Sequence, residues 1–95
     1  FLKSKNNVKL IGKSTHLRNE RMPTVSFTVK NKSSLSIAQD AGKNGIGIRN
    51  GDFYAWRCLK GLGINTNDGV VRVSMVHYNT VEEVEKLINF LDISI

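Results

Sequence analysis

The sequence predicts an α+β fold: a small, mainly antiparallel sheet covered on one face by helices, in the order β-β-α-β-α-β-α. Three observations carry this expectation. "TVSFTVK" (Thr24–Lys30) sets Val25, Phe27 and Val29 against Thr24, Ser26 and Thr28, the period of two of a half-buried strand. From Val81 onward, Val84, Leu87, Ile88 and Leu91 recur at helical spacing, with Glu82, Glu85, Lys86 and Asn89 on the other side. An apolar content of 40% against 23% charge over 95 residues suits one domain with one modest core.

"VKLIG" (Val8–Gly12) reads as a first strand closed by glycine. "KSTHLRNERMP" is a polar surface loop, and Pro23 biases Met22 toward the extended geometry that starts the second strand. After "KNKSS", Leu35, Ala38 and Ala41 fall at helical spacing, with Ser33 or Ser34 placed to cap the first turn and Asn44-Gly45 to end the helix. "IGIR" is expected as a very short strand and "NGD" as a turn. A second helix is expected from Phe53, carrying Tyr54, Trp56, Leu59 and Leu62 and stopping near Gly61 or Gly63. "NTNDG" is a loop before a strand from Val70 to His77. In the last helix, Thr80 and Glu83 form a capping box, each side chain satisfying the other's free backbone amide.

No apolar run approaches the ~18 to 20 residues that cross a bilayer. The single cysteine, Cys58, rules out an internal disulfide framework, and its place beside Leu59 predicts a buried thiol. The first residue is phenylalanine and no signal-peptide pattern precedes Val8, which points to a fragment or processed chain with the cytoplasm as default location. Lys and Arg exceed Asp and Glu by 14 to 8. That dispersed excess reads as solvated surface, and without an aromatic RNA-binding signature a nucleic-acid partner would rest on charge alone. "IGKSTHL" lacks the first glycine of a P-loop, and "GIGIRNG" has Asn50 where a dinucleotide fingerprint needs its third glycine. Asn31, Lys32 and Ser33 match a glycosylation acceptor that a cytosolic chain would not use. His16, His77 and Cys58 have no close-spaced partners, so no metal site is expected.

Arg72 stands apart, a permanent charge in "VVRVS". Alternation puts Val71, Val73, Met75 and His77 on the helix-facing side and Val70, Arg72, Ser74 and Val76 on the other. A guanidinium fork matches a planar carboxylate. The residues alone leave open whether that carboxylate is a ligand's or whether Arg72 serves a structural ion pair or a solvated face. His77, Tyr78 and Asn79 at the following junction can likewise be capping and packing residues.

"RMPTVSFTV", "GIGIRNGDFYAW", the Leu62-Gly63 pair and "GVVRVSMVHYNTVEEVEKL" together resemble the C-terminal small domain of class V aminotransferase-like enzymes, nearest to cysteine desulfurase-related proteins. The similarity runs from about Val8 to Leu91. It implies a single domain over residues 1–95 of a larger enzyme dependent on pyridoxal 5′-phosphate, with the large cofactor-binding domain absent from this chain. Arg72 would then pair with the α-carboxylate of an amino-acid substrate, and Arg49 would be a second basic position bordering the site. Asp52, Tyr54, His77 and Asn79 would lie on active-site loops, Asn79 and Thr80 in a capping role. Desulfurases that carry their nucleophile after this arginine-glycine segment have a cysteine where Tyr54 stands and a histidine near Asp52. A phenol cannot carry sulfur as a thiolate does, so an aminotransferase, lyase or epimerase-type reaction is equally open. The Schiff-base lysine segment is not recognisable here, so no catalytic residue and no cofactor are expected on this chain. The partners implied are its own large domain, a second copy in a homodimer when complete, and an amino-acid substrate. The competing reading is a small basic α+β module that binds nucleic acid or another anionic partner.

Overall fold

The computed structural model describes residues 1–95. Strands β1 (Val8–Ile11), β2 (Thr24–Val29), β3 (Arg49–Gly51) and β4 (Val70–Ser74) alternate with helices α1 (Ser34–Lys43), α2 (Trp56–Gly61) and α3 (Val81–Ser94), and a single 3-10 turn over Leu2–Ser4 precedes them. All strand pairs are antiparallel, in the spatial order β1-β2-β4-β3. The expected α+β architecture and element order are what the molecule has.

One face of the sheet carries the core. Phe27, Val71 and Val73 from β2 and β4 meet Ile37 and Ala41 of α1 and Leu91 of α3, joined by Val29 and Ile48. Phe27, Ile37, Val71 and Leu91 are the largest side chains removed from water, each contributing on the order of 1.5–3 kcal/mol by burial. The inward stripe of α1 is Ser34, Ile37 and Ala41 rather than one led by Leu35, which is half exposed. The reason is Asp68, whose carboxylate accepts from the Ser34 amide at 2.9 and 3.0 Å and fixes the rotation of the helix. The Ser34 hydroxyl also donates to the Asp68 carbonyl. An anion on the free amides of a helix N-terminus is favourable, and here it ties the loop before β4 to α1. Ser33 is the N-cap, accepting from the Ser36 amide at 3.1 Å.

β3 begins at Arg49, three residues later than "IGIR" suggests. Gly45 takes φ +70°, the Gly45 amide donates to Gly42 at 3.0 Å, and the Ile46 amide donates to Ala41 at 2.9 Å. These two bonds are a Schellman motif; Ile46 is committed to ending α1 and cannot start a ladder. The same motif ends α2, through Gly63 to Lys60 and Ile64 to Leu59, both at 3.0 Å.

α2 starts at Trp56 and not at Phe53, because Phe53 and Tyr54 both take left-handed backbone, φ +50° and +61°. Within α2, Leu59 is the buried residue and Cys58, about 100° around the helix, is exposed; the expected buried thiol is not there. β4 stops at Ser74, not His77. Its partner β2 runs out at Thr24, opposite Ser74, and the Val76 amide turns to Asn79 Oδ1 at 2.8 Å. His77 therefore lies in a turn, edge-on to Tyr78 with ring centroids 5.4 Å apart. In α3 the capping box is present as expected, while Val81 projects into solvent and the apolar stripe begins at Val84. Arg21 is not a free surface charge: its guanidinium donates to the carbonyls of Lys13, Thr15 and Thr24 and closes the polar loop between β1 and β2.

Candidate functional site

The site grows from the sheet face that α1 and α3 do not cover. Register places Ile11, Ser26, Arg72 and Arg49 in one row across all four strands. Arg49 and Arg72 are direct cross-strand partners. Like charges opposite one another destabilise a sheet, and no acidic group offsets them: the two ion pairs of the molecule are Lys5–Asp92 and Lys43–Asp40. Arg49 is exposed, whereas Arg72 is half-buried and its Nε is a buried donor with no acceptor.

Arg72 reaches this state because of the loop after β3. Gly51 takes φ +123°, then Phe53 and Tyr54 follow in left-handed backbone. Asp52 holds the turn by accepting from the Tyr54 amide at 3.1 Å through Oδ1 and from the Ala55 amide at 2.8 Å through its carbonyl. The path lays the Phe53 ring over the Arg72 guanidinium, with Cζ 4.0 Å from the ring centroid. The apolar pattern of the sequence places Phe53 in a helix and so misses this contact. The Asp52 side chain, able to close an Asx turn, is the local signal that a helix does not start there.

Behind the loop, Gly69 lies so close to Gly51 that a Cβ on Gly69 would stand 2.2 Å from the Gly51 carbonyl group. β3 is therefore seated against the start of β4 by two glycine backbones. Val70, on the Arg72 side by alternation, is buried, as is Leu59 of α2, and neither belongs to the main core cluster.

Of the positions singled out in the sequence, Arg49, Arg72 and the Asp52–Tyr54 loop come together. Tyr54 is fully exposed, its phenol free of the sheet. His77 and Asn79 lie beyond the other end of β4. Asn79 accepts from the Val76 amide and donates to Glu83 Oε2 at 2.7 Å, while Glu83 also accepts from the Thr80 amide at 3.2 Å. The Asn79 bond, then the Thr80 bond, hold the Glu83 carboxyl below its ordinary pKa. The side chain of Asn79 is thus occupied in starting α3. It borders a cleft with Gly45, Ile46, Ser74 and Lys86 that includes neither Arg49 nor Arg72.

Two guanidinium groups without a counter-charge, one with a buried unpaired donor, fit the acid end of a small ligand presented to the sheet. They do not fit a cofactor ring or aldehyde, which need an apolar slot and a reactive amine. No group of three or more His, Cys, Asp or Glu is placed to hold a metal ion. No helix is long and apolar enough to cross a membrane.

Comparison with known proteins gives this geometry its context. The model of the aminotransferase class-V family matches residues 1–87. Over 93 residues the chain is 42% identical to the aminotransferase-like protein FGM3 of Gibberella zeae, covering 97% of this chain and 23% of that protein. It is 37% identical to the cysteine desulfurase-like protein ustD of Aspergillus flavus, covering 97% of this chain and 22% of the relative. Among solved structures, the apo cysteine desulfurase of Thermococcus onnurineus NA1 superposes with a TM-score of 0.81 at 30% identity, over 92% of this chain and 20% of that one. The chain thus spans less than a quarter of the length of each of these three proteins.

Proposed function

This chain belongs to the class-V aminotransferase family, and from that premise we propose that residues 1–95 form the C-terminal, substrate-orienting domain of a longer pyridoxal 5′-phosphate enzyme acting on an amino acid. The observation that carries the reading is the Arg72 Nε, a buried donor with no acceptor in its own chain, beside an uncompensated Arg49. A buried donor left unsatisfied costs about 1–3 kcal/mol. A substrate carboxylate accepting from the Arg72 fork relieves that cost and neutralises the facing guanidinium pair.

The companion domain holds the cofactor and the lysine that bonds to it, and bound pyridoxal 5′-phosphate supplies an electron sink for charge at the substrate's α carbon. The work of this chain is orientation. Arg72 fixes the carboxylate, Arg49 adds charge at the rim, and the Asp52–Tyr54 loop forms a wall that limits how the amino acid can rotate. Fixing geometry in this way lowers the entropic part of a barrier without any proton moving on these residues. Tyr54 stands where the resembling desulfurases carry their cysteine, and a phenol does not accept sulfur, so the reading favours an aminotransferase, lyase or epimerase-type reaction. By itself the chain is inert. The complete enzyme is a cytoplasmic homodimer in this reading.

The test is the complete gene product with Arg72→Ala, assayed across a panel of amino acids. Loss of a charge-assisted pair raises KM by about ten- to hundredfold. An unchanged KM for every amino acid turned over by the parent overturns the assignment.

A further inference from the structure

Resting on the carboxylate reading of Arg72, we propose that Phe53 is a positioning residue: its ring, stacked on the Arg72 guanidinium, holds the fork in the orientation that receives the acid group. Cζ lies 4.0 Å from the ring centroid, which is stacking distance. No ion pair or Nε hydrogen bond holds the fork, since Arg72 takes part in neither ion pair and its buried Nε has no partner. Arginine is rotamer-rich, and an arginine fixed before the ligand arrives loses less entropy on binding.

The backbone explains why the ring is there. Two successive non-glycine residues, Phe53 and Tyr54, stay left-handed, a costly state that persists only where surroundings impose it. Asp52 imposes it through its bonds to the Tyr54 and Ala55 amides. A helix starting at Phe53 would avoid the left-handed backbone, but it would leave first-turn amides without intrahelical partners and carry the ring off the guanidinium. A ring against the π-face accepts no hydrogen bond from the in-plane N–H groups, so the contact orients the fork without using its donors.

The experiment uses the complete gene product, following the Arg72 Nε–Hε NMR signal, identified by its disappearance in Arg72→Lys, while sodium acetate is titrated against matched sodium chloride. In the parent the signal lies upfield from the ring current and moves with acetate but not with chloride. Phe53→Leu keeps an apolar side chain of similar bulk but removes the π-face. It abolishes the upfield displacement and weakens the acetate midpoint by about two- to thirtyfold, the span of cation–π contributions. Phe53→Trp restores both. A folded Phe53→Leu with the parental midpoint, or a Trp variant that restores nothing, overturns the positioning role and leaves the carboxylate reading standing. A parental Arg72 signal that acetate does not move overturns both.

Discussion

Replacing Gly69 by alanine tests the packing that seats β3, and with it the loop that carries Phe53. Two costs add. Gly69 has φ +70°, where an L-residue loses about 1–2 kcal/mol. Its new methyl would stand 2.2 Å from the Gly51 carbonyl carbon and oxygen and 2.7 Å from its Cα. Backbone atoms cannot swing aside as a side-chain tip can, and overpacking of this kind costs about 1–3 kcal/mol. The expected loss is about 2–5 kcal/mol, a large part of the about 5–15 kcal/mol that holds a domain together. Gly12 supplies the control: it has φ +90° and an added methyl there would meet nothing within 4 Å, so Gly12→Ala carries only the backbone cost of about 1–2 kcal/mol. Urea unfolding of both variants separates the two terms. At a slope of about 1–1.5 kcal/mol/M, Gly69→Ala unfolds about 0.7–3 M earlier than Gly12→Ala. Equal midpoints would mean that Gly51 yields freely and that the two glycines do not seat β3.

Two further predictions concern charge. Arg72→Met removes the unpaired donor and the facing positive charge, a gain of about 1–3 kcal/mol that outweighs or offsets the lost guanidinium contact with Phe53 of about 0.5–2 kcal/mol, so stability to urea is unchanged or higher. A clear loss would assign Arg72 to the fold instead of to a ligand. Glu83 has its pKa lowered by Asn79 and then Thr80. Its contribution to α3 is therefore fully present above the ordinary carboxyl value of about 4.3 and disappears as pH falls through the lower folded value. Thermal melts from pH 7 to pH 2 show the gap between parent and Glu83→Ala closing on the acid side; a gap that widens there contradicts the sign.

Element order, the capped ends of α1 and α3 and the half-buried β2 are legible in the sequence because each rests on neighbours a few residues apart. Ser33 bonds Ser36, and Thr80 bonds Glu83. Boundaries shift where a distant partner takes over. Asp68 turns α1 so that Leu35 faces out, and β2 runs out opposite Ser74; Ile46 is lost more locally, to the Schellman motif that ends α1. The apolarity of its neighbour points Cys58 to the core, but one helical position is enough to face it outward.

The same division runs through the site. Arg72 can be singled out as a chemistry-bearing residue from the chain alone, Arg49 only through the resemblance to a known enzyme domain, which residue order in stretches such as "VVRVSMVHYNT" carries. Their pairing cannot, because a cross-strand register joins positions that sequence separation hides, and it alone sets two guanidinium groups opposite each other. Only the folded chain could bring a phenylalanine in left-handed backbone over Arg72, since the Asp52 turn that aims it competes with a helix the local pattern favours equally well. Short-range hydrogen bonds and periodicity act within a few residues and are written in the sequence; which charged groups share a face, and which are left without a partner, depends on packing across the whole sheet.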